Sequence, residues 1–162
     1  MALLEKLRVF LGENHAAYTQ TIHPQAYTAR ELASVEHLPN REVAKTVVIF
    51  GDDRFHMIVV PANRLVDFQE VRFTLGLSHA RLATETELGE LFPDCELGAM
   101  PPMGNLYGMT VYLDSALAEE KMIAFNAGTH RDVVHMSTDE YMALVHPMVV
   151  GLAREAVMRH GW

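Results

Sequence analysis

Residues 44–60 have the sequence AKTVVIFGDDRFHMIVV, and this stretch decides the fold. Two runs rich in β-branched and aromatic residues, 46–50 and 55–60, flank Gly51-Asp52-Asp53-Arg54, whose residue types favour a tight turn. The stretch therefore predicts a β-hairpin that ends at Pro61. Lys45 is the single cation at the start of the first strand, which is otherwise apolar.

Helix signals occur on both sides of the hairpin. Apolar residues at helical spacing begin the chain. The segments 28–31, 84–87 and 137–140 each start with Ser or Thr and have Glu three residues later, which is typical of a helix N-terminus. The predicted helices cover about 2–12, 28–38, 65–75, 84–92, 137–147 and 149–160.

Strand patterns outside the hairpin are short and are mixed with the helices. They cover about 80–83, 109–113, 122–126 and 133–136. There is no repeated β-α-β unit and no linker rich in Ser, Gly or Pro, so we predict a single α+β domain over 1–162. Its sheet is expected to be mixed or mostly antiparallel. The tail 147–162 is expected to pack as a core helix, with contact to a second copy as the alternative.

Composition excludes several classes of protein. Hydrophobic residues make up 49% of the chain and charged residues 21%, as in globular domains. No apolar run is long enough to span a membrane, and charges at Glu5, Lys6 and Arg8 argue against a signal peptide. The only cysteine is Cys95, which excludes an internal disulfide and a thiolate zinc cage. The expected location is the cytoplasm.

Charge is distributed unevenly along the chain. The formal net charge is −8, and residues 82–162, with 4 basic and 12 acidic residues, account for all of it. A polyanion would therefore approach the face built by residues 30–81, unless the acidic half is simply a solvated surface. The candidate phosphate-binding side chains on that face are Arg30, Arg41, Arg64 and Arg72.

Common catalytic motifs are absent from the sequence. It contains no Walker loop, no GxGxxG, no GxSxG, no HExxH and no CxxC. The spacing of His130 and His135 is not typical of metal ligands, so neither a metal nor another cofactor is expected. Cys95 stands between Asp94 and Glu96, and these negative charges disfavour the thiolate that a nucleophile needs.

Three features remain as candidates for chemistry. Lys45 either extends to solvent or points at an anion or a carbonyl. The segment 98–104, GAMPPMG, is either a sharp chain reversal or a rigid loop that directs backbone N–H groups at an oxyanion. The segment 126–130, NAGTH, begins at the end of a predicted strand and continues as a loop of small residues with His130 at its tip. This histidine either contacts a substrate or lies in water.

The three features, in this order along the chain, resemble the YbaK-type family, which comprises the prolyl-tRNA-synthetase-associated editing domain and its free-standing relatives. The resemblance covers residues 20–146 and leaves the tail outside. It implies an α+β domain with a bent, barrel-like mixed β-sheet flanked by helices. It also implies a trans-editing hydrolase that removes a small amino acid, such as Ala or Cys, from mischarged tRNA(Pro).

The resemblance implies roles for individual residues. Lys45 and His130 would be catalytic. The protein would position a water molecule to attack the ester and would stabilise the resulting oxyanion, so no Ser or Cys nucleophile is needed. We expect Lys45, Gly104 and His130 to line one cavity. The substrate-binding residues implied are Gly98, Pro101, Pro102, Gly104, Asp114, Gly128 and Thr129.

The implied partner is the acceptor end of an aminoacyl-tRNA, with no membrane and no DNA. Because the chain is acidic, it is expected to hold the tRNA body weakly, so an aminoacyl-tRNA synthetase is a second candidate partner. Two alternatives stay open at this point. One is a non-catalytic module of the same fold that binds tRNA or a synthetase. The other is a hydrolase of small esters or nucleotides.

Overall fold

The structure is a computed structural model, and it describes residues 4–155. Helices and strands alternate irregularly along these residues. The helices are α1 (Glu5–Glu13), α2 (Ala29–Val35), α3 (Phe68–Leu75), α4 (Glu85–Leu91), α5 (Ser115–Ala118) and α6 (Thr138–Val145). The strands are β1 (Thr19–Ile22), β2 (Ala44–Gly51), β3 (Arg54–Pro61), β4 (Arg64–Val66), β5 (Arg81–Leu82), β6 (Val111–Asp114), β7 (Met122–Asn126), β8 (Asp132–Ser137), β9 (Met148–Val150) and β10 (Ala153–Glu155).

The predicted hairpin forms the centre of a five-stranded sheet with the order β5-β2-β3-β6-β9. Its strands pair antiparallel from Ala44 opposite Pro61 to Gly51 opposite Arg54. Asp52 and Asp53 both have positive φ, at 48° and 69°, which gives the turn the twist that a two-residue hairpin requires. Strand β6 pairs parallel to β3, and β9 parallel to β6, so the sheet is mixed.

Two smaller sheets complete the strand arrangement. One has the antiparallel order β1-β8-β7, and the other pairs β10 with β4. A single parallel bridge between Val43 and Ala124 connects the first of these with the region just before β2. The predicted α+β fold with a mixed sheet is confirmed, but across residues 4–155 the three sheets do not close into a barrel.

Apolar side chains cover both faces of the central hairpin. On one face Met57 and Val59 pack into a large cluster with Leu7 of α1. On the other face Ile58 and Val60 pack with Val71 of α3. A strand buried on both faces needs a continuous apolar run rather than an alternating one, which is the pattern seen in β3. No helix within residues 4–155 is long and apolar enough to cross a membrane.

The structure corrects the predicted helix over 65–75. Residues Arg64–Val66 form strand β4, and the helix begins only at Phe68. Asp67 causes this boundary, because its side chain accepts hydrogen bonds from the backbone N–H groups of Gln69 and Glu70.

The predicted helix over 149–160 is wrong for the residues that the structure describes. Residues 148–150 and 153–155 are strands β9 and β10, which pair with β6 and β4. The edge of β6 offers unpaired backbone groups, and Pro147 and Gly151 disfavour a helix on either side of β9. Residues 156–160 of that helix lie outside the described residues. Strand β1 was not predicted, because its sequence TQTI is short and mostly polar.

A buried tyrosine fixes the proline-containing loop. Tyr141 in α6 is fully buried, and its hydroxyl donates to the carbonyl oxygen of Pro102 at 2.5 Å. We expect Tyr141→Phe to lower the free energy of unfolding by about 1–3 kcal/mol, because the Pro102 carbonyl is left buried without a donor. Urea denaturation measures this change. The matched control is Tyr112→Phe, because the Tyr112 hydroxyl has no hydrogen-bond partner within residues 4–155, and it should leave the unfolding midpoint unchanged.

Candidate active site

A cavity of about 240 Å³ lies at the start of β2. Four segments form its walls: the beginning of α2, the first residues of β2, the loop after α4 and the end of β7. Its lining residues are Tyr27, Thr28, Ala29, Ala44, Lys45, Thr46, Gly98, Met100 and Asn126. Lys45 and Gly98, which are 53 positions apart in the sequence, thus lie in one cavity.

Lys45 is half-buried in this cavity. Its Nζ donates to the carbonyl oxygen of Arg64 in β4 at 2.9 Å. Burial, and then the nearby positive charge of Arg30, hold the pKa of the Lys45 ammonium below its usual value. An ammonium has three donors, so two of its N–H bonds are left for a ligand. The backbone contact fixes the position of the cation without neutralising it.

Backbone hydrogen bonds join the loop after α4 to the loop between β7 and β8. The N–H of Glu96 donates to the carbonyl oxygen of Gly128 at 2.8 Å, and the N–H of Gly128 donates to that of Ala99 at 2.9 Å. The Glu96 carboxylate accepts the N–H of His130 at 2.9 Å. The two loops, about 30 positions apart in the sequence, therefore form one wall.

Gly98 stands at the point where this wall meets the cavity. Its φ is +85°, a conformation that strongly favours glycine, and a Cβ there would lie 3.5 Å from Cε1 of His130. The backbone N–H groups of Gly98 and Met100 donate to no acceptor within residues 4–155. Two backbone donors without partners, next to a half-buried cation, are suited to an anion or an oxyanion.

His130 lies behind Gly98 and is not among the residues that line the cavity. The residue is 6% exposed. Its Nε2 is 2.7 Å from the carbonyl oxygen of Leu97, and its Nδ1 is 3.2 Å from that of Ala26. Both ring nitrogens therefore lie next to backbone carbonyl oxygens, one of Leu97 and one of Ala26. In this arrangement the ring holds two backbone segments in position, and its catalytic role stays a prediction.

The prolines and Gly104 of the predicted loop lie away from the cavity. Pro101 and Pro102 are buried, and the Pro102 carbonyl binds Tyr141. Gly104 begins a short 3-10 helix, where a Cβ would lie 2.9 Å from Cγ2 of Val111. We expected Lys45, Gly104 and His130 to line one cavity, but only Lys45 lines it. Gly104 does not, because the chain turns towards β6 after Met100.

Three other predicted residues have structural contacts. Asp114 is buried, and it accepts hydrogen bonds from the backbone N–H groups of Ala116 and Leu152. The Thr129 hydroxyl donates to the Asp132 carboxylate at 2.6 Å. Gly128 has a φ of +100° and supports the wall through its two backbone bonds. Any contact of these residues with a substrate stays a prediction.

The beginning of α2 is the part of the site that the sequence did not indicate. The predicted capping box exists, with the Thr28 hydroxyl accepting the N–H of Glu31 at 3.0 Å and the Glu31 carboxylate accepting the N–H of Thr28 at 3.1 Å. That this capping box lies at the cavity could not be seen in the sequence, because the position of α2 depends on packing against residues far away in the chain. Asn126 also lines the cavity, and its Oδ1 is buried without a partner within residues 4–155.

A larger cavity of about 580 Å³ lies at the turn of the hairpin, roughly 20 Å along the strand from Lys45. Two of its charged side chains, Asp52 and Arg81, are already paired. The Asp52 carboxylate accepts from the N–H groups of Ser78 and His79, and Arg81 forms an ion pair with Glu87. The smaller cavity therefore has the better chemistry for a ligand.

Comparisons with known proteins show the family of the chain. Residues 23–144 match the model of the family described as aminoacyl-tRNA editing domain. The chain is 24% identical over 157 residues to an Escherichia coli K12 protein named multifunctional Ser/Thr-tRNA deacylase ProXp-y, covering 94% of this chain and 93% of that protein. It is also 30% identical over 81 residues to the proline–tRNA ligase of Thermosipho africanus, covering 50% of this chain and 14% of the ligase.

Solved structures show the same fold. A candidate trans-editing enzyme for prolyl-tRNA synthetase superposes with a TM-score of 0.81 at 22% identity, covering 93% of this chain and 96% of that one. A hypothetical protein superposes with a TM-score of 0.83 at 18% identity, covering 93% and 100%. The family match spans about three quarters of the chain, and the enzyme class expected from the sequence, an aminoacyl-tRNA deacylase, is confirmed with it. The chain therefore belongs to the aminoacyl-tRNA editing domain family, as the resemblance based on Lys45, 98–104 and 126–130 indicated.

Proposed function

We propose that the protein acts in trans on mischarged tRNA and that the Lys45 cavity binds the aminoacyl group during hydrolysis of its ester. The observation that carries the proposal is the conjunction of the Lys45 ammonium with the two unpaired N–H groups of Gly98 and Met100. Lys45, Gly98 and Met100 all line a cavity of about 240 Å³, a volume that suits one small aminoacyl group.

The chemistry needs positioning more than it needs a strong nucleophile. Water adds to the ester carbonyl, and the carbonyl oxygen becomes an oxyanion that the N–H groups of Gly98 and Met100 stabilise. A single donor of this kind is typically worth about 10²–10³ in rate. The C–O bond to the ribose then breaks, and the proton lost by the water ends on the ribose oxygen. The products are the free amino acid and uncharged tRNA.

No thiol is needed for this reaction, and Cys95 is not suited to it. Its Sγ is 3.4 Å from the Tyr107 hydroxyl, and it does not line the Lys45 cavity. Burial is the main cause that raises the pKa of the Cys95 thiol to about 11, and the neighbouring Asp94 charge adds to it. At neutral pH the sulfur is therefore protonated and a poor nucleophile.

Two classes of amino acid fit the cavity. Its size favours a small amino acid, such as Ala or Cys on tRNA(Pro). Ser and Thr are the second class, because the name of the E. coli relative states these two for that protein.

The tRNA body is proposed to lie on the face built by residues 30–81. Arg30 is exposed and close enough to lower the pKa of Lys45, so its charge stands beside the cavity. Arg41 is less available, because its Nε lies 3.3 Å from the Glu120 carboxylate. Because the net charge of the chain is −8, affinity for the tRNA body is expected to be low, and a synthetase that delivers the tRNA would compensate for it.

The first test is deacylation of a panel of mischarged tRNAs by the purified protein. We expect hydrolysis of tRNA(Pro) carrying Ala or Cys, or of tRNA carrying Ser or Thr, and much slower loss of Pro from tRNA(Pro). Release of labelled amino acid measures the rate. Binding without release on every member of the panel would instead indicate a non-catalytic tRNA-binding module. Equal rates on short aminoacyl esters would indicate a small-ester hydrolase.

The second test removes the cation. We expect Lys45→Met to reduce the deacylation rate by at least about 100-fold, because the ester loses the positive charge next to its carbonyl. The unfolding free energy should fall by only about 1 kcal/mol, since Met keeps the aliphatic stem and one hydrogen bond is lost. Lys121→Met, at an exposed position outside the cavity, is the matched control and should retain the wild-type rate. A Lys45→Met enzyme with the wild-type rate would contradict the role of Lys45.

The third test measures the thiol. At pH 8 we expect Cys95 in the folded protein to react with a disulfide reagent roughly 100-fold more slowly than an ordinary cysteine, because little of it is thiolate. The rate should rise about tenfold per pH unit until the pH reaches about 11. The same protein in urea supplies the reference rate. Cys95→Ala should deacylate as fast as wild type, and loss of activity would reinstate the thiol as a nucleophile.

A further inference from the structure

Tyr27 is an exposed aromatic side chain at the rim of the cavity. It is 62% exposed, yet it is one of the residues that line the cavity. Exposed aromatic residues are common on protein surfaces and need no explanation when they occur singly. Phe73 in α3, at 86% exposure, is such a case, since it does not line the cavity. Tyr27 differs in its position and in how firmly it is held.

Three contacts restrict Tyr27. Its hydroxyl donates to Oε1 of Gln25 at 2.7 Å, and its backbone N–H donates to the Glu31 carboxylate at 3.2 Å. Its ring lies against the ring of His130, with 5.0 Å between the centroids and an angle of 47° between the planes. The ring is therefore supported on one side and open to solvent elsewhere. An aromatic surface held in this way loses little conformational entropy when a ligand packs on it.

The substrate must place a nucleoside close to this ring. The ester carbonyl lies at Lys45 and Gly98, and a cavity of about 240 Å³ that contains the aminoacyl group has no room for an adenosine as well. The terminal nucleoside therefore lies at the rim, joined to the ester through its ribose. Arg30, whose charge acts on Lys45, stands on the same side and suits the adjoining phosphate.

We propose that Tyr27 is a stacking platform for the terminal base of the single-stranded acceptor end of tRNA. The proposal rests on the proposed function, since it takes the ester to lie in the cavity. Unpaired bases are commonly bound by stacking on aromatic side chains, and this contact needs no particular base edge. Tyr27 would thus contribute to the affinity for the nucleotide, while Lys45 and the backbone N–H groups act on the ester.

The direct test uses a fluorescent base. An acceptor-stem minihelix carries 2-aminopurine at its terminal position and an amide-linked alanine that is not hydrolysed. We expect wild-type protein and Tyr27→Phe to quench the fluorescence on binding, because both retain the ring. Tyr27→Ala should lose the quenching, and the matched control Phe73→Ala should keep it. Absence of quenching with the wild-type protein would overturn the proposal, whether or not the protein proves to be a deacylase.

The kinetic test separates stacking from support of His130. On mischarged tRNA we expect Tyr27→Ala to raise KM by roughly 5- to 100-fold, the range found when stacking residues are replaced by alanine, with kcat within a few-fold of wild type. On the same substrate without its terminal base, wild type and Tyr27→Ala should have the same KM. An equal defect on both substrates, or a loss confined to kcat, would show that Tyr27 acts only through His130 and would refute the stacking role.

Discussion

Gly128 exchanges two backbone hydrogen bonds with the loop that contains Gly98, and the shape of the cavity depends on this pair. The bonds join Glu96 and Ala99 to the turn between β7 and β8, so that the turn and the loop form one wall. Gly128 has a φ of +100°, and a Cβ there would lie 2.9 Å from the Cβ of Leu4. A larger residue would push α1 away from the wall and the wall away from Lys45.

The local parts of the fold could be predicted, and the non-local parts could not. The hairpin and the capping boxes at 28–31 and 84–87 are each encoded within a few neighbouring residues, and each occurs where the sequence indicated. Strands β9 and β10 depend instead on β6 and β4, which are far away in the chain. The amphipathic pattern of this region by itself predicts a helix. A periodic pattern indicates which residues of a segment are buried, but it does not indicate which other element the segment pairs with.

The site shows the same division. Lys45 and Gly98 were indicated by the sequence, and both line the cavity. Gly104 was assigned to the same pocket because it belongs to the same glycine- and proline-containing segment, but its close contacts with Val111 and Met109 explain why it is a glycine. Tyr27 gave no signal, since an exposed tyrosine is ordinary in any sequence, and Asn126 was indicated only as the first residue of segment 126–130. Their roles arise only where α2 and β7 meet.

The proposed chemistry takes two of its donors from the main chain, the N–H groups of Gly98 and Met100. A substitution that does not introduce proline leaves the backbone N–H in place, so these donors tolerate sequence change as long as the path of the chain is kept. The fold itself is kept in solved structures that are 18–22% identical to this chain. The proposed selectivity, in contrast, rests on side chains that line the cavity, such as Asn126 and Met100.

The contact between Lys45 and the Arg64 carbonyl has a consequence for the far end of the chain. Arg64 is in β4, and β4 takes its only strand partner within residues 4–155 from β10. The position of the ammonium therefore depends on the two-stranded sheet of β4 and β10, although β10 is distant in the sequence. Loss of the pairing between β4 and β10 would therefore shift the Lys45 ammonium without altering any residue that lines the cavity.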